Sequence, residues 1–129
     1  MSKKLGIALF VLVILVVAGC RTQLVYNVEE SPIISPATDV SKTDIAKAIK
    51  RAGITLGWQM KDEAEGEIIG TLILRKHMAK VSIKYTTDYY SIKYLDSDKL
   101  NYDGTKIHSN YNGWIQNLDK GIQTQLAIY

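Results

Sequence analysis

The spacing of apolar residues changes twice along the chain, and this change constrains the fold most. Near residues 45 and 115 apolar residues recur every three or four positions, whereas between residues 58 and 94 they alternate with polar ones. The first period is that of an amphipathic helix and the second that of a strand. Each such element must bury its apolar side against another. The order of helix, strands and helix therefore predicts an α+β domain.

Two amphipathic helices are predicted. The first covers residues 40–54, with Ser41 as N-cap, Asp44 three residues later and Gly53 as the C′ residue that ends it. Its apolar stripe consists of Ile45, Ala48, Ile49 and Ala52. The second helix covers residues 110–127, and its stripe consists of Tyr111, Trp114, Ile115, Leu118, Ile122 and Leu126. Its other residues are expected on the outer face, among them Asn110, Asn112, Gly113, Asn117 and Gly121.

Between the helices the alternating pattern predicts strands joined by short turns. The first strand begins near residue 58, and a turn is predicted at residues 62–66. Three further strands are predicted over residues 67–75, 79–85 and 90–94. Short connections favour antiparallel neighbours. The predicted fold is an antiparallel meander of four to five strands, covered on one face by the two amphipathic helices. Its other face, which carries lysines, is expected to be exposed to solvent.

The N-terminus has the pattern of an export signal. Lys3 and Lys4 precede an apolar run from Leu5 to Val17. A membrane-spanning helix needs about 20 apolar residues, so this run predicts a cleaved signal peptide over residues 1–19. It ends in Val17-Ala18-Gly19-Cys20.

This ending resembles the lipobox of bacterial lipoproteins. The resemblance implies cleavage between Gly19 and Cys20, a diacylglycerol thioether on Cys20, and an acyl chain such as palmitate on the new amino group. Arg21 follows the cysteine where an aspartate would imply inner-membrane retention. The resemblance thus implies a periplasm-facing protein held in the outer membrane by its lipid anchor, in a Gram-negative bacterium.

Further segments resemble a family of small proteobacterial lipoproteins. They are Val-Tyr-Asn-Val at residues 25–28, Gly-Trp-Gln at 57–59, Tyr-Ser-Ile at 90–92, and Ile-His-Ser-Asn-Tyr-Asn-Gly-Trp-Ile-Gln-Asn-Leu at 107–118. The likeness runs over nearly all of the mature chain. It implies localisation and fold, and it implies no activity.

The predicted domain organisation has three parts. Residues 1–19 are the signal peptide, and residues 20–39 hold the acylated cysteine, a short β-prone segment and a tether containing Pro32 and Pro36. Residues 40–129 form a single α+β domain. Because both helix stripes are satisfied internally, this domain is expected to be soluble and monomeric without its anchor.

Charge and composition exclude several classes of function. Only two of the 16 basic residues and none of the 13 acidic ones precede residue 20, so the mature chain is nearly neutral. A nucleic-acid partner would require a clustered basic face. With His77 and His108 as the only histidines and Cys20 as the only cysteine, no metal or cofactor site is predicted.

Tyrosines supply the candidate contact residues. Tyr85, Tyr90 and Tyr94 keep the phase of the buried strand positions, whereas Tyr89 and Tyr102 do not. Tyr89 and Tyr102 therefore form the candidate contact surface. The predicted function is a non-enzymatic binding or assembly-accessory module of the cell envelope, with an envelope protein or glycan as partner. The alternative is a periplasmic peptidoglycan-acting enzyme, which requires two facing carboxylates beside the tyrosines.

The lipid anchor is directly testable. We expect Cys20→Ser to abolish acylation, because a hydroxyl oxygen does not replace the thiolate nucleophile. Metabolic labelling with a fatty-acid analogue measures this. Label retained on the variant would contradict the lipoprotein assignment.

Overall fold

The computed structural model describes residues 21–129, so the predicted signal peptide and Cys20 lie outside the described residues. Within residues 21–129 the chain forms seven strands and two helices. The strands are β1 (Thr22–Leu24), β2 (Val28–Pro32), β3 (Gln59–Ala64), β4 (Glu67–Leu74), β5 (His77–Tyr85), β6 (Tyr89–Asp98) and β7 (Lys106–His108). The helices are α1 (Lys42–Thr55) and α2 (Ser109–Leu126). The predicted α+β class is confirmed.

The main sheet has five antiparallel strands in the order β2-β6-β5-β4-β3. Strands β3 to β6 form the predicted meander, and β2 joins it at the outer side of β6. The small second sheet pairs β1 with β7, where Gln23 lies opposite Ile107. Both helices cover one face of the main sheet, so all of the core lies between the helices and that face.

The predicted stripes form this core. Its fully buried helix residues are Ile45, Ala48 and Ile49 from α1 and Tyr111, Ile115, Leu118 and Ile122 from α2. Facing them from the sheet are Ile68, Ala79, Val81, Ile83, Tyr90 and Ile92. Trp114, predicted on the stripe, is only half-buried and packs at the rim of the core. Gly121 lies against Leu56 and Ala52 of the α1 side, although it was expected on the outer face.

Helix α1 begins as predicted and ends later than predicted. The Ser41 Oγ accepts the N–H of Asp44 at 3.1 Å, which satisfies one of the free donors at the helix start. Gly53 lies inside the helix, and the side chain of Met60 occupies the space that a Cβ at this position would take. Gly57 instead takes the left-handed conformation after the helix, with φ of +91°.

The segment predicted as a tether is built into the fold. Strand β2 pairs with β6, and Val28 lies opposite Ile92 with its side chain buried. Beyond the strand, the N–H of Ile33 donates to the carbonyl oxygen of Asp88 at 2.8 Å. Pro32 fits here because an edge strand does not need every N–H for the sheet. The prolines therefore mark an edge strand and its exit.

A side chain of α2 holds this N-terminal segment in place. Asn112 was expected on the outer face, yet it is buried with 8% of its surface exposed. Its Oδ1 accepts the N–H of Tyr26 at 2.9 Å, and its Nδ2 donates to the carbonyl oxygen of Leu24 at 2.9 Å. The amide thus bonds an acceptor at the last residue of β1 and a donor in the stretch that joins β1 to β2.

Replacing this amide tests its role. We expect Asn112→Ala to lower the free energy of unfolding by about 1–3 kcal/mol, because two part-buried hydrogen bonds to the backbone are lost. Asn117→Ala on the exposed side of the same helix is the matched control, with an expected change within about 0.5 kcal/mol. Urea unfolding measures both, and equal midpoints for the two variants would contradict the role of Asn112.

Candidate functional site

The uncovered face of the main sheet holds the candidate site. Residues whose side chains point away from the helices alternate with core residues along β5 and β6, and they include Ser82, Lys84, Ser91 and Lys93. Lys84 and Lys93 are exposed, as predicted for the lysine-bearing face. The paired strands bring these side chains together, since Ser82 lies opposite Lys93 and Lys84 opposite Ser91.

A groove of about 460 Å³ runs over this face near the turn between β5 and β6. Four of the five strands and the turn contribute to it. Its lining consists of Glu30, Glu67, Ser82, Lys84, Tyr85, Thr86, Tyr89, Ser91, Lys93 and Leu95. Hydroxyl groups, both signs of charge and the apolar surfaces of two tyrosines and a leucine thus meet in one depression.

Internal contacts fix the groove floor. The Ser82 Oγ donates to the Oε2 of Glu67 at 2.6 Å across β5 and β4. On the other side, the Ser91 Oγ accepts the N–H of Glu30 at 3.0 Å, at the irregularity in the β2–β6 pairing. These bonds orient the polar side chains before any ligand arrives. Among residues 21–129, Lys84 takes part in no salt bridge, so its ammonium group faces solvent.

Tyr89 stands at the mouth of this groove on a rigid turn. The Thr86 Oγ1 accepts the N–H groups of Asp88 and Tyr89 at 3.1 and 3.2 Å. The Thr86 N–H also donates to the Tyr89 carbonyl oxygen at 2.9 Å. The tyrosine side chain is 41% exposed, so its ring presents a free surface beside polar neighbours.

Tyr102 does not share a surface with Tyr89. Its ring stacks on Tyr94 with centroids 4.0 Å apart, and its hydroxyl donates to the carbonyl oxygen of Gly104 at 3.2 Å. Tyr94 in turn meets the edge of Tyr111 at 5.7 Å. The stack therefore lies on the helix-covered side of β6. The structure places the two predicted contact tyrosines on opposite faces of β6.

Tyr90 and Tyr111 have structural roles. Tyr90 is fully buried and its hydroxyl donates to the carboxylate of Asp119, which ties β6 to α2. Burial, reinforced by that carboxylate, raises the pKa of Tyr90 to about 12. Burial also raises the pKa of Tyr111, whose side chain lies entirely within the core.

The side chains of both histidines form hydrogen bonds with the backbone. The His108 Nδ1 accepts the N–H of Asn110 at 3.1 Å, so this side chain caps the start of α2. The His77 Nδ1 lies 2.9 Å from the carbonyl oxygen of Lys99. Within the described part of the chain, no three histidine, cysteine, aspartate or glutamate side chains are grouped so as to hold a metal ion. Neither of the two described helices is long and apolar enough to cross a membrane.

Comparison of the chain with protein-family models, with curated proteins and with solved structures gave no match.

Sequence reasoning identified Tyr89 and missed its partners in the groove. Ser82, Ser91 and Leu95 belong to no chemical motif, and only the pairing of β5 with β6 shows that they share one face. The signal that would have found them is the alternation itself. Once the phase of the buried residues on β5 and β6 is known, the intervening residues define the open face.

Proposed function

We propose that this protein is a lipid-anchored lipoprotein of the outer membrane that faces the periplasm and serves as a non-enzymatic binding or assembly-accessory module. The observation that carries the proposal is the groove on the open sheet face beside Tyr89. Its partner is an envelope protein segment or a glycan. The lipobox ending at Cys20 supports the anchor, since it supplies a thiol for acylation directly before the described domain.

The chemistry of the groove supports a polar, extended ligand. The ring of Tyr89 and the side chain of Leu95 offer apolar contact, and both are exposed at 41% and 49%. Lys84 adds a cation, and the hydroxyls of the floor add donors and acceptors. Tyrosine combined with such groups suits both a sugar ring and a protein segment.

The alternative function is a periplasmic enzyme that acts on peptidoglycan. It has one observation in its favour, because Glu30 and Glu67 both line the groove. Their strands, β2 and β4, are separated by β6 and β5. Three strand spacings amount to about 14 Å, whereas catalytic carboxyl pairs lie about 5–10 Å apart. No aspartate or glutamate within residues 21–129 is buried. Both observations favour the binding module.

Site-directed photocrosslinking in cells tests the proposal. We expect a photoreactive amino acid in place of Tyr89 to give one discrete adduct, because the residue lies at the mouth of the groove. Leu95→Glu should abolish that adduct by placing a carboxylate in the apolar part of the lining. A matched control carries the photoreactive group in place of Tyr26, which is 37% exposed and lies outside the groove.

Adducts of equal yield from both positions, or none from the Tyr89 position, would contradict the proposed groove. Incubation of isolated peptidoglycan with the protein separates the alternative function. Release of fragments by the wild type and not by Glu67→Gln would replace the binding module with the enzyme.

A further inference from the structure

The chain enters the folded domain at a defined place. Arg21 is the single residue between Cys20 and strand β1. Its carbonyl oxygen accepts the N–H of Ser109 at 3.0 Å, at the start of α2. Because one extended residue spans only about 3.5 Å, the domain has no tether on which to move away from an anchor at Cys20.

Two connections lie beside this entry point. The N–H of His108 donates to the carbonyl oxygen of Leu100 at 2.8 Å, so the connection between β6 and β7 is adjacent to the start of α2. The contact of His77 with Lys99 then places the turn between β4 and β5 next to that connection. We call this part of the molecule the anchor end, and it comprises residues 21–24, 73–77 and 98–108.

The anchor end carries a cluster of exposed cations. They are Arg21, Arg75, Lys76, Lys99 and Lys106. Among the residues that the structure describes, none of these five side chains forms a salt bridge. The acids of the same segments are Asp98 and Asp103. The carboxylate of Asp103 accepts the backbone N–H groups of residues 105 and 106, which lowers its pKa and ties it to the loop.

The opposite end of the sheet has a different charge pattern. The end of β3 and the turn that follows it carry the acids Asp62, Glu63 and Glu65. Lysines there are paired with them: Lys50 lies 2.9 Å from Asp62 and Lys42 lies 3.7 Å from Glu65. The near-neutral mature chain is thus divided by its fold into an end with unpaired cations and an end with acids.

Two of the cations occupy backbone positions that favour glycine. Arg75 has φ of 57° and Lys99 has φ of 59°, both in the left-handed region. A side chain at such a position costs about 1 kcal/mol or more relative to glycine. Arg75 and Lys99 are therefore present despite an unfavourable backbone conformation. The same end also exposes apolar side chains, because Leu24, Ile73 and Leu74 of its segments are 65%, 62% and 47% exposed.

We infer that the anchor end is a docking surface for anionic phospholipid headgroups of the membrane that holds the chain. This inference rests on the proposed lipid anchor, which brings the membrane within one residue of β1. Unpaired arginines and lysines attract anionic headgroups, and the exposed leucines and isoleucine enter the interface. Strand β6 then carries Tyr89 and the groove away from the bilayer, about 30 Å from Asp98 at the other end of the strand.

The test uses the full chain, purified from bacterial membranes and reconstituted into vesicles. One set of vesicles contains phosphatidylcholine alone, and the other also contains phosphatidylglycerol. Amide hydrogen exchange followed by mass spectrometry is the readout. We expect slower exchange at residues 73–77 and 99–106 on the anionic vesicles only, with unchanged exchange at residues 62–66.

Charge-reversal variants supply the control. Arg75→Glu combined with Lys76→Glu should abolish the protection, because both side chains lie in the turn of the anchor end. Lys47→Glu combined with Lys120→Glu changes the net charge equally on exposed helix positions and should leave the protection intact. Equal loss in both double variants would contradict the surface, because the effect would then depend on net charge alone.

The outcomes separate the docking surface from the anchor. Intact mass of the N-terminal peptide reports acylation of Cys20, so a missing acyl mass contradicts the proposed anchor whatever the exchange shows. An acylated chain whose anchor end exchanges equally on both kinds of vesicle contradicts the docking surface. Protection that grows with protein concentration and ignores lipid composition overturns it too, because the surface would then contact a second copy of the chain.

Discussion

Asn112 makes the contact on which the position of the N-terminal segment depends. From the first turns of α2, its amide bonds the carbonyl oxygen of Leu24 at the end of β1 and the N–H of Tyr26 just after that strand. A buried amide without partners is destabilising, so its two bonds hold the segment in one arrangement. Strand β2 can then complete the sheet at the outer side of β6. The entry of the chain at Arg21 is fixed relative to α2 by the bond from the Ser109 N–H to the Arg21 carbonyl oxygen.

That constraint has consequences at both ends of the molecule. Since β2 supplies Glu30 and borders the groove, the candidate site is complete only when the N-terminal segment is docked. At the other end, the same segment leaves one residue between the fold and Cys20. The candidate groove and the proposed membrane-facing end therefore lie on one rigid body, and the sheet separates them along its strands.

The sequence was sufficient for elements whose signals are local. The stripes beginning at Ile45 and Tyr111, the Ser41 cap and the alternation along β5 each depend on residues close together in the chain. Gly53 was predicted to end the helix, but the space for a Cβ there is filled by Met60. Because Met60 lies on the later strand β3, no local pattern indicates this reason for the glycine. Asn112 was misplaced since its partners lie more than 80 residues away, where no periodicity reports them.

Local sequence signals also predicted only part of the candidate site. Tyr89 was found because it breaks the phase of the buried tyrosines, and the structure places it on the open face. Tyr102 breaks the phase too, but it stacks on Tyr94, and that contact depends on how the β6–β7 connection folds back. The floor residues Ser82 and Ser91 carry no signal of their own, since serine on an open sheet face is ordinary. Strand pairing alone brings them together.

The central claim is that residues 22–33 belong to the rigid fold and do not tether it. Amide hydrogen exchange of the folded protein by NMR tests it most directly, at the N–H groups of Val25, Tyr26 and Ile33. These donate to Thr105, Asn112 and Asp88 at 3.0, 2.9 and 2.8 Å. The account predicts slow exchange at all three, approaching that of Ile83 in the core strand β5. Exchange as fast as that of Thr87 in the exposed turn would contradict it.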